Sequence, residues 1–187
     1  MPFNQKFYQE YSLKPDLYGP FWILWTLVVV LTIAANFARY LEMDDPDQFT
    51  YTFHIIPISA TVLFGIGIGL PLAIRTVVNC FGHSASSVPT LTGIGIYAYS
   101  FSSFLISSIL CGFIPNNAVQ WILIIYSAMT SIMFLVATYW ADLSTTLDSH
   151  KRIIVIGGIC LTQLSLLLIF KLYFFKHVTA KHELWRK

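Results

Sequence analysis

The chain of 187 residues is too poor in charge to form a water-soluble globular protein. Charged residues make up 11% of the chain, hydrophobic residues make up 56%, and the mean hydropathy is +0.68. A soluble domain carries about 25% charged residues. The net charge of +2 provides no basic surface for nucleic acid, so we expect no nucleic-acid partner. The composition predicts one integral membrane domain.

The first 15 residues form a polar leader in which aromatic residues are spaced four apart. Phe3, Phe7 and Tyr11 would share one face of a helix. A short amphipathic helix lying on the membrane and a disordered leader both fit this pattern. The leader ends where Gly19 and Pro20 introduce the first long apolar run.

The stretch from Asp16 to Trp22 combines a helix start with residues typical of a membrane surface. Proline at a first helical position loses only an N–H that has no partner within the helix. Asp16 places negative charge near the positive end of the helix dipole. Tyr18, Trp22 and Trp25 carry amphipathic rings, which favour the level of the lipid headgroups. We therefore predict that the first membrane helix begins here.

Five apolar runs are long enough to cross a membrane, which takes about 20 helical residues. They cover residues 21–40, 51–75, 91–114, 119–140 and 153–174. We predict an all-α integral membrane protein, a bundle of five transmembrane helices within residues 16–175, followed by a basic tail at 176–187. An odd number of spans places the two termini on opposite faces of the membrane.

Several side chains in these runs lead to more specific expectations. Pro57 and Pro71 are expected to kink or end the second span. Lys171, in the last turn of the fifth span, is expected to extend outward to the membrane surface. The first apolar run is a full span long, which argues against a cleavable signal peptide.

Charge does not orient the chain, because lysine and arginine are divided almost evenly between the two sides. The leader is basic relative to the acidic first loop, which favours a cytosolic N-terminus. The basic tail argues for the opposite orientation.

Small residues recur at close intervals in the second and third spans, a pattern that lets membrane helices approach closely. Gly65 and Gly69 lie four apart on one face of the second span, and Gly93, Ala98 and Ser102 lie along the third. We expect these faces to pack the two spans together, or to pack two copies of the protein together.

The residues that could carry chemistry do not form a recognisable site. Asp44, Asp45 and Asp47 could hold Mg²⁺ for work on a diphosphate. No second acidic or basic cluster accompanies them, so we interpret this stretch as a solvated loop. We expect no metal, no cofactor and no enzymatic activity.

Polar side chains inside the spans are few. Asn36 and His54 lie near span ends, and Gln163 is central in the fifth span. A transporter or proton relay needs several such groups at one depth on facing helices. We interpret Gln163 as an amide that joins helices.

Two motifs give the chain a specific family resemblance. The first consists of Asp16, Leu17, Tyr18, Gly19, Pro20, Phe21 and Trp22, and the second contains Tyr97, Tyr99 and Ser100. Together with the Tyr139-Trp140 pair that closes the fourth span, these motifs resemble the Yip family of Ypt/Rab-GTPase-interacting proteins. The resemblance covers nearly the whole chain and is greatest to the branch found on Golgi membranes.

The resemblance implies a five-span protein with a cytosolic N-terminus and no enzymatic activity. It implies a membrane scaffold in traffic between the endoplasmic reticulum and the Golgi apparatus. The implied partners are membrane lipids, Rab-type small GTPases, and other Yip-family proteins or the protein itself. Two features depart from the family pattern: the leader is short, and Ala98 replaces a glycine of the second motif.

Two other classes of function remain as alternatives to a scaffold. A small multi-pass transporter or channel would need a polar midplane. A membrane-embedded lipid enzyme would depend on the acidic loop at 44–47.

Overall fold

The computed structural model describes residues 17–41, 50–81, 88–114 and 116–175, and within these ranges the regular structure is entirely helical. The predicted all-α bundle is confirmed, because five helices have the length and composition to cross a membrane. They are Tyr18–Leu41, Ile55–Phe81, Thr90–Phe113, Asn117–Trp140 and Ser149–Phe174. The leader, the acidic loop and the basic tail lie outside the described residues, as does Asp16.

The helices are numbered in chain order. They are α1 (Tyr18–Leu41), α2 (Ile55–Phe81), α3 (Thr90–Ser100), α4 (Ser102–Phe113), α5 (Asn117–Thr146) and α6 (Ser149–Ile169), with a π-helical turn at Phe170–Phe174 after α6. Pro71 lies inside α2 and does not end it. The third span, predicted as one helix, consists of α3 and α4.

A tight antiparallel hairpin joins α4 to α5. The Asn116 side chain caps α5 by accepting hydrogen bonds from the backbone amides of Ala118 (3.0 Å) and Val119 (3.5 Å). Further along the pair, the hydroxyl groups of Ser107 and Ser127 are hydrogen-bonded to each other. Hydroxyl groups can satisfy one another where no water is available, so this hairpin holds together within the membrane.

One end of the bundle, the one nearer to the start of α1, contains the end of α2 and the start of α6. Lys151 Nζ donates a hydrogen bond to the Phe81 carbonyl oxygen at 3.0 Å, which ties these two helix ends together. We call this the N-terminal end. Its core is a cluster from α2, α3, α5 and α6 that includes Val78, Tyr97, Leu135 and Ile159.

A larger core cluster fills the rest of the bundle and includes α1. Leu27, Leu31, Phe104 and Phe170 are all fully or almost fully buried within it. Helix α1 contributes no residue to the core cluster at the N-terminal end. The start of α1 therefore lies part-way along the bundle, beside the middle of the third span.

Glycine permits a close approach of two helix backbones at Gly112 of α4. A Cβ atom added there would lie 2.9 Å from the Ala34 Cβ and 3.0 Å from the Ala34 Cα of α1. Gly67 of α2 similarly receives Leu24, whose Cδ1 would be 3.3 Å from an added Cβ. Helix α1 is thus held between α2 and α4 by the absence of side chains at these two positions.

Gly65 and Gly69 do not make the predicted contact with the third span. A Cβ atom added to either residue would have no atom within 4 Å, apart from the chain neighbours and the backbone of its own helix. Both residues are exposed. They face away from the bundle because Gly67, between them, faces inward. Packing of this face against a second copy remains a hypothesis.

Lys171 does not extend outward as expected. Its side chain is only 4% exposed, and its Nζ donates hydrogen bonds to Gln120 Oε1 (2.7 Å) and to the Phe175 carbonyl oxygen (3.2 Å). The Gln120 amide in turn donates to the carbonyl oxygens of Cys111 (3.2 Å) and Ile114 (3.3 Å). The π-helical turn is therefore bound to the α4–α5 hairpin by a buried polar network.

The other polar residues within the spans have different environments. Asn36 is bound to the segment before α2: it accepts from the Thr52 amide (2.9 Å) and donates to the Thr32 carbonyl oxygen (2.9 Å). Gln163 is fully buried, and its amide has no hydrogen-bond partner among the described residues. The interpretation of Gln163 as a hydrogen-bonding link between helices is not supported there.

We predict that Gly112→Ala lowers the stability of the protein. The new methyl group overlaps Ala34, and overpacking of this kind costs about 1–3 kcal/mol. Thermal unfolding in detergent measures the effect, with Gly65→Ala as the matched control because that position is open. An equal melting temperature for both variants would contradict the close approach of α1 and α4.

We also predict that Gln120→Leu alone destabilises the protein more than the combination of Gln120→Leu and Lys171→Met does. The single change removes a hydrogen bond from a buried charged group, which costs about 1.5–3 kcal/mol, whereas apolar replacement of both partners can be nearly neutral. Unfolding of the two variants in detergent tests this order. If the double variant is the less stable one, the buried network is not the main reason for the loss.

Candidate interaction site where the two motifs meet

The second motif lies at an interruption of the third span. The Phe101 amide donates to the Ala98 carbonyl oxygen at 3.1 Å, and the Phe104 amide donates to the Phe101 carbonyl oxygen at 3.0 Å. Both bonds reach back three residues instead of the four of an α-helix. The tighter turn at Phe101 forms even though Ala98 replaces the glycine of the family pattern.

Serine hydroxyl groups cover the backbone carbonyls around this interruption. Ser100 Oγ donates to the Tyr97 carbonyl oxygen (2.7 Å), and Ser103 Oγ donates to the Ser100 carbonyl oxygen (3.2 Å). Ser102 Oγ donates to the Tyr99 carbonyl oxygen (2.8 Å). Serine side chains that bond the preceding turn are known to bend helices, which explains why the serine-rich sequence is interrupted.

The first motif contacts the second through Gly19. A Cβ atom added to Gly19 would lie 2.8 Å from the Tyr99 hydroxyl oxygen, so the Tyr99 ring would have to shift to admit a larger residue there. Pro20, the next residue, is buried. The first turn of α1 is therefore seated on the last turn of α3, and the two sequence motifs form one site.

Aromatic and apolar side chains form an exposed surface at the start of α1. We call it the aromatic face, and it consists of Leu17, Tyr18, Phe21, Trp22 and Trp25. Tyr18 is 71% exposed, and its ring meets the Trp22 ring edge-on at a centroid distance of 6.0 Å. Phe21 and Trp22 are also edge-on, at 5.9 Å. These contacts arrange the rings relative to one another on a fixed helix.

The other motif and packing residues lie deeper in the bundle. Tyr97 is fully buried with its ring centroid 6.1 Å from that of Tyr139, and its hydroxyl group has no hydrogen-bond partner among the described residues. Gly93 lies against the Tyr139 hydroxyl group and Pro71, and Ala98 is fully buried. Ser102 is exposed instead of packed between helices.

The described residues offer no cluster for metal binding. They contain no group of three or more His, Cys, Asp or Glu side chains that could hold a metal ion. The site presents a surface on which exposed aromatic rings at the start of α1 lie next to the serine hydroxyl groups at the interruption of the third span. Such a surface is suited to binding.

Several important contacts could not be predicted from the sequence. Gln120 and Lys171 are far apart in the chain, and no local pattern connects them. Nothing in the sequence indicated that the hydroxyl group of Ser103 would bond to a backbone carbonyl oxygen. The run Ser100-Phe101-Ser102-Ser103 was the available signal, since serine competes with the helical hydrogen bonds.

We predict that Gly19→Ala costs less stability when Tyr99 is replaced by phenylalanine than it does in the original protein. The added methyl group meets the Tyr99 hydroxyl oxygen, and Tyr99→Phe removes that atom. A double-mutant cycle by thermal unfolding measures the coupling, which contacting residues show at about 0.5–3 kcal/mol. Additive effects would mean that the two motifs do not constrain each other.

Comparison with known proteins identifies the family. A family model described as Yip1 domain matches residues 2–171, which includes both motifs. The chain is 31% identical over 181 residues to the protein YIPF1 homolog of Dictyostelium discoideum, a match that covers 96% of this chain and 50% of the relative. The chain thus spans about half the length of that relative. No solved structure matches it.

The family assignment is consistent with the fold and with the site. The matched region contains all of α1 to α6, and the motifs that carried the sequence resemblance are the ones that meet at Gly19 and Tyr99. The chain belongs to the Yip1 domain family.

Proposed function

We propose that this protein is a non-enzymatic membrane scaffold in vesicle traffic between the endoplasmic reticulum and the Golgi apparatus. Its partners are Rab-type small GTPases and other Yip-family proteins, or further copies of itself. The observation that carries the proposal is the aromatic face at the start of α1. Membership of the Yip1 domain family supports it.

The composition of the aromatic face favours a protein partner. Tyrosine and tryptophan are enriched at protein interfaces and dominate binding energy when they enter a partner's pockets. Tyr18 is much more exposed than a ring needed only to pack the bundle would be. A second role at the lipid headgroups is compatible with this, since the same rings are favoured at a membrane surface.

The seating of α1 makes the aromatic face suitable for recognition. Pro20 is buried and Gly19 lies against Tyr99, so the first turn of the helix is attached to α3. A surface that is already ordered loses less conformational entropy on binding than a mobile segment does. The motif residues therefore act as a group: Gly19 and Pro20 position the surface, and Tyr18 and Trp22 present it.

A Rab GTPase can bind only to a surface on the cytosolic side of the membrane. The proposed orientation has a cytosolic N-terminus, and an odd number of spans then places the chain's end on the other side. Lys151 lies at the N-terminal end of the bundle with Phe81, so it faces the same side as the start of α1. Protease added outside sealed microsomes should reach this end first.

A small transporter or channel remains the alternative from another class. It requires polar groups that line a path at one depth. Asn36 is engaged with Thr52, and Lys171 is engaged with Gln120, so their polar atoms are occupied within the bundle. A flux assay in liposomes that contain the purified protein separates the two functions.

We predict that Tyr18→Ala leaves the protein folded and inserted but reduces the recovery of Rab GTPases and Yip-family proteins from crosslinked membranes. The side chain contributes exposed contact area and little packing. Tyr126→Ala is the matched control, because Tyr126 is similarly exposed at 66% but lies on α5, away from the motif. Abundance and melting temperature are measured alongside partner recovery.

Two outcomes would count against this function. Normal partner recovery with reduced abundance of the Tyr18→Ala protein would mean that the motif is only a membrane anchor. An equal loss of partners for Tyr18→Ala and Tyr126→Ala would mean that the aromatic face has no specific role.

A further inference from the structure

We propose that the groove at the interruption of the third span binds the hydroxyl group of an uncharged membrane lipid. The groove has a volume of about 370 Å³, and it is lined by Tyr99, Ser100, Ser102, Ser103, Thr130 and Phe134. That volume lies within the usual range for small-molecule sites, about 300–1,000 Å³. The site is separate from the aromatic face proposed to bind proteins, and its occupant is a lipid.

The lining determines which chemical groups the groove can accept. None of the lining side chains carries a charge, so a phosphate headgroup would find no basic partner. Hydroxyl-bearing side chains dominate the lining within a membrane span whose other outward residues are largely apolar, such as Ile106 and Ile109. A ligand with one neutral polar group and an otherwise apolar body matches this surface.

The hydrogen bonds of the lining hydroxyl groups specify the ligand further. Ser102 donates to the Tyr99 carbonyl oxygen, Ser103 donates to the Ser100 carbonyl oxygen, and Thr130 Oγ1 donates to the Ser127 carbonyl oxygen at 2.9 Å. A hydroxyl group has one proton to donate and lone pairs that still accept. With their protons directed at the backbone, these three oxygens offer acceptors, which suit a ligand that donates a hydrogen bond.

The position of the groove along the bundle suits such a lipid. Tyr99 connects the groove to Gly19, and Trp22 lies one helical turn along α1 from Gly19. Interfacial aromatic rings mark the level of the lipid headgroups. A sterol and a diacylglycerol both carry a neutral hydroxyl group near this level, with their apolar parts directed into the membrane. The structure assigns their shared chemistry to this site.

The experiment uses the full chain reconstituted in lipid nanodiscs with photoactivatable sterol and photoactivatable diacylglycerol in separate arms. At least one probe should label residues of the groove in α3, α4 or α5. Unlabelled sterol or diacylglycerol should compete with the matching probe, whereas the methyl ether of the sterol or a triacylglycerol should not. The arm that labels identifies the source of the hydroxyl group.

A substitution and its control test the residues. Thr130→Val keeps the shape of the side chain and removes the acceptor oxygen, so labelling should fall about fivefold, the factor expected for one neutral hydrogen bond. Thr162→Val is the control, since Thr162 on α6 is half-buried, as Thr130 is, with its hydroxyl group bonded to the Gly158 carbonyl oxygen at 2.8 Å, and it does not line the groove. The melting temperatures of both variants are recorded.

Several results would overturn the proposal. One is labelling of the groove by neither probe, and another is equal competition by the methylated or fully esterified lipid. Preferential labelling by a phosphoinositide probe would show that the site prefers charge. Unchanged labelling of the folded Thr130→Val protein would exclude the hydrogen bond. Partner recovery is unaffected in each case, so failure here is distinguishable from failure of the scaffold function.

Discussion

A backbone carbonyl buried in a membrane bundle needs a donor from the protein itself, and this constraint governs the interruption of the third span. The turn at Phe101 reaches back three residues, so nearby carbonyls must find donors elsewhere. Ser100 and Ser103 supply them from the same stretch of chain. Because the turn is satisfied internally, Tyr99 can face α1 and the first turn of that helix can be seated against it.

The sequence predicted the number and type of helices because apolar length and low charge determine them directly. It did not predict which glycines pack. Gly65 and Gly69 had the expected spacing, yet Gly67 faces inward and Gly112 makes the close contact with the backbone of α1. Spacing defines a face of a helix, but the neighbour that covers this face depends on the rotation of the helix in the bundle, which is a tertiary property.

The sequence could predict which residues belong to the candidate site, but it could not predict how they are arranged in space. The resemblance identified both motifs, which lie about 80 residues apart in the chain, but nothing local indicated that Gly19 would meet Tyr99. Ser102, expected to pack between helices, instead lines an open groove.

The burial of Lys171 has a consequence for how the protein is assembled. A lysine near the end of an isolated membrane helix reaches toward the surface, where water solvates its charge. In the completed bundle the same ammonium group is bound to Gln120, on a span made earlier in synthesis. The fifth span must therefore exchange water for an amide oxygen after the α4–α5 hairpin is in place. Docking of the fifth span therefore depends on the earlier hairpin, and a chain cut short before Lys171 would lack this step.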